Sequence, residues 1–105
     1  MTRLPTMKHK YNAVPTEFNG RRYSSKKEAR YAQTLETLKN SGQVLFYLPQ
    51  VSIPLKAGYT YRVDFLEFWA NGDIHWTDVK GIDTPNSKLK RKQVEFEYPF
   101  KVELI

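Results

Sequence analysis

The chain of 105 residues contains no cysteine, which excludes disulfides and thiolate metal sites. A metal ion would have to be bound by oxygen atoms or by the two histidines, His9 and His75. No apolar run approaches the roughly 18 residues that a membrane-spanning helix needs. Residues 1–10 are basic but have no apolar centre, unlike a signal peptide. We therefore expect a single-domain cytoplasmic protein that has no membrane contact and no small-molecule cofactor.

Positive charge is concentrated in two segments of a chain whose net charge is +6. Residues 1–31 hold eight Lys or Arg and two acids, and residues 80–92 hold five and one. Clustered cations bind polyanions by displacing counterions, so this distribution favours a nucleic-acid partner. The alternative is a solvated surface that keeps the protein soluble.

The pattern of apolar residues predicts a hairpin, a helix, three strands, a second helix and a last strand. Residues 1–15 show no periodicity and are expected to form a flexible basic arm, while residues 16–105 form one domain. Asn19-Gly20 predicts a type I′ turn, since both positions favour positive φ. The expected strands are 44–55, 59–69, one that ends near Lys80, and a buried strand over 100–105. Gln50 is expected to be an ordinary exposed position in the first of these.

The first helix is expected to run from a cap at Ser25 to about Asn40 and to stop at Gly42. Its apolar stripe, Ala32, Leu35 and Leu38, shares a face with Glu28. A carboxylate at the head of a buried stripe has two interpretations. It completes a capping box with Ser25, or it is a metal ligand that points inward; both can hold in different states.

The second helix is expected to begin at a cap on Asn86 or Ser87 and to reach about Tyr98. Leu89, Val94 and either Phe96 or Glu97 form its weak apolar stripe. Its first turns carry a run of cations, which is more often a solvated face than a binding site.

Two aspartates lie on the strands that flank Ala70-Asn71-Gly72. A two-residue Asn71-Gly72 turn would point Asp64 and Asp78 to opposite sides of the sheet. A three-residue loop with Gly72 in the left-handed conformation would place the two aspartates directly opposite one another. Only the three-residue loop makes a shared site, and we predict that geometry. Two carboxylates in that position repel unless a divalent cation lies between them, which favours a metal site. The alternative is two strand-end residues that reach solvent, with Lys80 pairing an acid.

Asp78 and Lys80 are two residues apart on one strand and should share a face. His75 is out of phase with both. It is expected on the opposite side, as a packed or surface histidine.

The order of elements, with Glu28, Asp64 and Asp78-Val79-Lys80 in sequence, resembles the PD-(D/E)XK nuclease superfamily. The resemblance covers about residues 11–105, and the short length is similar to a small phage-encoded branch close to Holliday-junction resolvases. Val63 replaces the usual proline before Asp64, and Asp78 replaces the commoner glutamate. The resemblance implies a restriction-endonuclease-like α/β fold: a mixed sheet flanked by helices, with an α-β-β-β-α-β core after the short hairpin.

The resemblance also implies Mg²⁺-dependent hydrolysis of DNA, with Mn²⁺ able to substitute. Asp64, Asp78, the Val79 carbonyl and Glu28 would bind the metal, and Lys80 would assist the attacking water. Flanking phosphates would be held by two sets of cations: Arg21, Arg22, Lys26 and Lys27, and Lys88, Lys90, Arg91 and Lys92.

A chain this short leaves little room for a base-reading insertion, which favours recognition of branched or junction DNA over sequence. Cutting a junction requires two sites and hence a homodimer, in the host cytoplasm if the protein is phage-encoded. The first rival interpretation is a non-catalytic nucleic-acid-binding module, or a subunit of a larger phage nucleoprotein complex. The second is a protein that keeps the nuclease fold and binds a host protein.

Overall fold

The structure is a computed structural model that describes residues 14–79 and 83–105. The predicted arm therefore lies almost wholly outside the described residues, as does Lys80. Among the residues described, no helix is long and apolar enough to cross a membrane.

The described residues form nine elements. They are β1 (Thr16–Phe18), β2 (Arg21–Tyr23), α1 (Lys26–Asn40), β3 (Val44–Pro54), a 3₁₀ helix (Lys56–Gly58), β4 (Thr60–Trp69), β5 (Ile74–Asp78), α2 (Pro85–Glu97) and β6 (Val102–Leu104). The predicted order, with an α-β-β-β-α-β core after an N-terminal hairpin, is confirmed, and the fold class is mixed α/β.

The main sheet has the strand order β3-β4-β5-β6. Its first three strands are antiparallel, whereas β6 returns parallel to β5 after the α2 crossover. Strands β1 and β2 form a separate hairpin, in which Asn19 and Gly20 have φ of 55° and 80°. These positive values match the type I′ turn predicted from Asn-Gly.

Both predicted ends of α1 are confirmed. The Ser25 hydroxyl accepts a hydrogen bond from the Glu28 amide at 3.1 Å. At the other end Gly42 has φ 85°, and the Gln43 amide donates to the Leu38 carbonyl at 2.9 Å, which completes a Schellman motif. Ala32 and Leu35 are fully buried, as their stripe predicts.

Two apolar clusters pack on opposite faces of the sheet. The first, with α1, comprises Tyr23, Ala29, Ala32, Leu35, Val44 and Phe65. The second, with α2, comprises Ile53, Leu55, Tyr61, Val63, Val94 and Val102. Trp76 packs on the second cluster while its neighbour Thr77 interacts with Tyr31 of α1, so the clusters are separated by the sheet.

Strand β4 changes the face that it presents at Asp64. Val63 belongs to the second cluster and Phe65 to the first, although residues two apart on a regular strand share a face. The register places Gln50 opposite Asp64, and Gln50 has φ 56°. The positive φ of Gln50 in β3 and the change of face at Asp64 in β4 occur side by side, and together they let β4 contribute to both clusters.

Gln50 is not the ordinary exposed position expected from the sequence. Its amide group donates to the Arg22 carbonyl at 3.1 Å and accepts from the Arg21 guanidinium at 3.2 Å. The kinked residue therefore links the N-terminal hairpin to the sheet.

The prediction for the second helix was wrong in its start and in most of its stripe. Thr84 is the N-cap, and its hydroxyl accepts from the Ser87 amide at 3.1 Å, while Pro85 takes the first helical position, where no amide is needed. Only Val94 of α2 is buried; Leu89 and Phe96 are 65% and 87% exposed. Val94 is therefore the one α2 side chain buried in the core, while Arg91 and Glu95 make polar contacts with Tyr61 of β4 and the Val102 amide of β6.

The last strand is shorter and less buried than predicted. It covers Val102–Leu104, and only Val102 is buried. The reason is its position: β6 lies at an edge of the sheet, so one side of the strand has no neighbouring strand within residues 14–79 and 83–105.

The three-residue loop predicted between β4 and β5 is confirmed. The Trp69 amide donates to the Asp73 carbonyl at 2.9 Å, and Gly72 has φ 95°. Phe65 pairs with Thr77, and one further step in this register places Asp64 opposite Asp78.

Substitution of Gly72 by alanine should lower the free energy of unfolding by about 1–2 kcal/mol, measured by urea denaturation. A Cβ at this position would meet no atom within 4 Å, so the cost would arise from the left-handed backbone and not from a clash. Gly72→Asn is the matched control and should cost less, since asparagine tolerates this conformation. Equal stability of Gly72→Ala and the wild type would contradict the importance of this loop.

Candidate active site

The carboxylates of Asp64 and Asp78 each accept a hydrogen bond from a backbone amide of the segment that carries the other. The Asp64 amide donates to Asp78 Oδ1 at 2.9 Å, and the Val79 amide donates to Asp64 Oδ2 at 2.8 Å. Asp78 is buried and Asp64 is half-buried. The two carboxylates form a reciprocal pair, which we call the aspartate pair, at the end of β5.

Tyr61 is a member of this site that the sequence did not reveal. Its hydroxyl donates to Asp78 Oδ2, so each oxygen of the buried Asp78 accepts a hydrogen bond. Burial, and then the hydrogen bond to Asp78, raise the pKa of Tyr61 above its ordinary value and keep the hydroxyl protonated. Regular alternation along β4 would have placed Tyr61 on the face away from Asp64, which is why the pattern concealed it.

Arg91 contacts Tyr61 and forms an ion pair with Asp83. The guanidinium forms a two-pronged ion pair with distances of 2.7 and 2.8 Å, and it also interacts with the Tyr61 hydroxyl. Its side chain is only 12% exposed. Arg91 was predicted to hold a DNA phosphate, but here its fork is occupied by a carboxylate inside the protein. A chain of polar contacts thus connects Asp78 to α2 and to the segment just before it.

Glu28 is buried at the first turn of α1, as its place on the apolar stripe predicts. Its Oε1 accepts from the hydroxyl and the amide of Ser24 at 2.5 and 3.3 Å, so the carboxylate caps Ser24 and not the predicted Ser25. Its Oε2 is buried and has no hydrogen-bond partner in the described part of the chain. A buried oxygen without a partner is costly, and a cation or water that bonds this atom would remove the cost.

The structure does not gather all the predicted ligands. Within residues 14–79 and 83–105, no group of three or more His, Asp or Glu side chains is arranged to hold a metal ion. Hydrogen bonds join the Asp64 and Asp78 segments, whereas Glu28 does not form a three-carboxylate group with them. Lys80 lies outside the described residues, so its assignment stays a prediction, as does that of the Val79 carbonyl.

The donor chemistry of the aspartate pair suits Mg²⁺. This ion takes one or two protein carboxylates and fills its other positions with water and substrate phosphate, so it needs no cage of side chains. Two carboxylates opposite one another on neighbouring strands also carry a repulsion that a divalent cation removes. The unpartnered Oε2 of Glu28 is a further oxygen for which no protein donor is available among the residues described.

His75 lies away from the aspartate pair, as its position on the strand predicts. Its Nδ1 is 2.5 Å from Glu103 Oε2 on the adjacent strand β6. This hydrogen bond raises the pKa of His75 above its ordinary value. The histidine thus forms an ion pair between β5 and β6 when it is protonated.

The remaining predicted phosphate contacts are on the surface. The predicted phosphate contacts that are exposed are Arg21, Arg22, Lys26, Lys27, Lys88, Lys90 and Lys92. The Lys27 ammonium donates to the Ile105 carbonyl at 3.3 Å, while the Ile105 amide donates to the Asp78 carbonyl at 3.0 Å. The first turn of α1 is therefore close to the strand end that carries Asp78.

A groove of about 410 Å³ runs along α1 and reaches Val79. Lys27 and Arg30 contribute its positive charge, and no Asp or Glu among the described residues lines it. Arg30 was not singled out from the sequence because a lone arginine in the middle of a helix has no distinguishing pattern. Val79, whose amide donates to Asp64 Oδ2, is one of the residues that line the groove.

Comparison with known proteins yields one informative result. A family model described as "Protein of unknown function (DUF1064)" matches residues 8–104. No curated protein and no solved structure matches the chain.

Tyr61→Phe should lower the free energy of unfolding by about 1–3 kcal/mol, because it leaves a buried carboxylate oxygen of Asp78 without its donor. Urea denaturation provides the measurement. Tyr59→Phe is the matched control: it lies two residues away, is 66% exposed, and should leave stability unchanged. If both variants are as stable as the wild type, the hydroxyl does not hold Asp78.

Proposed function

Since this chain belongs to the family described as a protein of unknown function (DUF1064), we propose its function from its own residues: it is a Mg²⁺-dependent endodeoxyribonuclease that selects DNA by structure, such as a branched junction. The observation that carries the proposal is the aspartate pair. It joins two carboxylates on neighbouring strands, one buried and one half-buried, and Val79, whose amide donates to Asp64, lines a groove with positive charge.

A contribution to folding stability does not explain why both positions of the aspartate pair are carboxylates. Two facing carboxylates on adjacent strands destabilise a sheet, and an amide or hydroxyl side chain could accept the same backbone hydrogen bonds without the charge. A site that binds a divalent cation needs the charge. The resemblance to PD-(D/E)XK nucleases rests on these same positions.

Asp64, Asp78 and the Val79 carbonyl would hold Mg²⁺, with Glu28 as a further oxygen ligand and Mn²⁺ as a substitute. When bound, the metal lowers the pKa of a coordinated water and stabilises charge on the phosphate. The protein orients the carboxylates: the amides of Asp64 and Val79 and the hydroxyl of Tyr61 fix three of their four oxygens. Lys80 would hold the attacking water and neutralise the charge that develops.

The exposed cations support binding to the phosphate backbone without a choice of sequence. Lys27 and Arg30 line the groove that leads to Val79, and Lys88, Lys90 and Lys92 lie on α2. Contacts of this kind position a nucleic acid but do not read its bases. A DNA strand along the α1 groove would bring a phosphate towards the aspartate pair.

A second candidate is a non-catalytic nucleic-acid-binding module or a subunit of a larger nucleoprotein complex. The observation in its favour is that the aspartate pair already joins β4 to the end of β5 through two hydrogen bonds from backbone amides to carboxylates, while no three-ligand group exists among the described residues. In this case the cations would bind DNA and the carboxylates would only brace the sheet.

Cleavage of a synthetic four-way DNA junction by the purified protein should require Mg²⁺ and be abolished by a chelator. Asp64→Asn and Asp78→Asn should each reduce the rate about 100-fold or more, since both keep the size of the side chain but remove its charge. Asp73→Asn, an exposed carboxylate of the same hairpin, is the matched control and should cut at the wild-type rate.

Circular dichroism and denaturation first establish that each variant is folded. Cleavage by folded Asp78→Asn at the wild-type rate would refute the proposed site. Mg²⁺-independent binding of the junction by the wild type, without any cutting, would support the non-catalytic module instead.

A further inference from the structure

A cavity of about 270 Å³ lies where α2 meets the turn between β3 and β4. The residues that α2 contributes to its wall follow the spacing of one helical face, and they are Asn86, Leu89, Lys90 and Gln93. Leu55 and Tyr59, on either side of the 3₁₀ helix, complete the wall. No Asp or Glu among the described residues lines this cavity, which we call the α2 pocket.

Two large apolar side chains of the α2 pocket are exposed to solvent. Leu89 is 65% exposed, although the sequence placed it in the apolar stripe of α2, and Tyr59 is 66% exposed. Neither residue belongs to the two apolar clusters that the described residues form. Core packing therefore does not account for them, whereas a concave site that combines apolar surface with a few polar groups is the usual form of a ligand pocket.

Hydrogen bonds hold the two walls of the pocket in place without a ligand. The Leu55 amide donates to the Tyr59 carbonyl at 2.7 Å and closes the turn. The Lys56 amide donates to Glu97 Oε1 at 2.9 Å, and the Gln93 side-chain amide donates to Glu97 Oε2 at 2.7 Å. Glu97 thus joins the turn to α2, and Gln93 keeps its carbonyl oxygen as an acceptor. A site that is formed in advance loses less entropy when it binds.

We infer that the α2 pocket binds an unpaired nucleotide. The exposed ring of Tyr59 provides a surface on which a base stacks, and Leu89 adds a second apolar surface. The side-chain amides of Asn86 and Gln93 supply the donors and acceptors that read the edge of an unpaired base. Lys90 supplies one positive charge for the phosphate, and no lining carboxylate opposes it.

The combination of these groups selects a single unpaired nucleotide over other ligands. A planar base uses the aromatic face, its edge uses both donors and acceptors, and its phosphate uses the cation. Bases in an intact duplex are stacked on and paired with one another, so they do not offer a face or an edge to such a pocket. Pockets for drug-sized molecules begin near about 300 Å³, so a volume of about 270 Å³ suits one base.

The α2 pocket lies beside the candidate active site. Tyr59 has extended backbone, with φ −86° and ψ 159°, and precedes Tyr61 by two residues, which is about 7 Å along the chain. The Tyr61 hydroxyl donates to Asp78, and Lys90 is adjacent to Arg91, which contacts Tyr61. The link to cleavage rests on the proposed function: an unpaired nucleotide in the pocket would distinguish a branched or flapped substrate from intact duplex next to the aspartate pair.

Fluorescence anisotropy in the presence of a chelator measures binding without cutting. The two probes are a short labelled oligothymidylate and a strand of the same length in which every position is abasic, so that only the bases differ. The wild type should bind the oligothymidylate about tenfold or more tightly than the abasic strand, because base stacking adds to the attraction of the phosphates. Circular dichroism first establishes that each variant is folded.

Substitutions in the pocket should remove this preference and leave the affinity for the abasic strand unchanged. Tyr59→Ala should bind the two strands about equally, and Tyr59→Phe, which restores the ring, should restore the preference. Phe96→Ala is the matched control, since Phe96 is 87% exposed on α2 but does not line the pocket, and it should keep the preference of the wild type.

The inference and the proposed nuclease activity fail in different ways. Equal affinity of the wild type for the two strands, or a preference that survives Tyr59→Ala, overturns the inference even if the four-way junction is cut. A preference that depends on Tyr59, together with a four-way junction that stays uncut in Mg²⁺, supports the pocket and refutes the nuclease. Absence of binding to either strand overturns the inference as well.

Discussion

The pairing register of β4 with β5 is the constraint on which the candidate site depends. A loop of three residues, with Gly72 at φ 95°, sets Asp64 opposite Asp78. Because side chains alternate along a strand, a slip of one residue would separate the two carboxylates and also expose the apolar residues that pack beside them. The aspartate pair and the core are therefore fixed by the same hydrogen-bonded ladder, which makes the site as rigid as the sheet.

A second constraint is the reversal of β4 at Asp64. The strand must supply Phe65 to the cluster under α1 and Val63 to the cluster under α2, and it changes face at the residue between them. The kink at Gln50, on the strand opposite, accompanies this change. The reversal has a consequence for chemistry, since it brings Tyr61 to the side of Asp78 and supplies the donor that the buried carboxylate needs.

The sequence predicted those features that depend on the backbone preferences of a few neighbouring residues. The Asn19-Gly20 turn, the cap at Ser25 and the loop at Gly72 each follow from the backbone preferences of a few residues, and all three are present. Long-range contacts were not accessible in the same way. No pattern in the sequence shows that the Arg91 guanidinium pairs with Asp83, and the weak stripe of α2 did not show that Val94 is its only buried residue.

The aspartates serve two roles that are compatible in one geometry. Their hydrogen bonds join β4 to β5, and the same bonds hold the carboxylates in place for a cation. The most direct measurement is an NMR titration with Mn²⁺, in which a bound paramagnetic ion broadens the signals of nearby nuclei. The account predicts that the amides of Asp64 and Val79, which donate to the two carboxylates, broaden first. Broadening centred on another part of the chain, or none at these two amides, would contradict it.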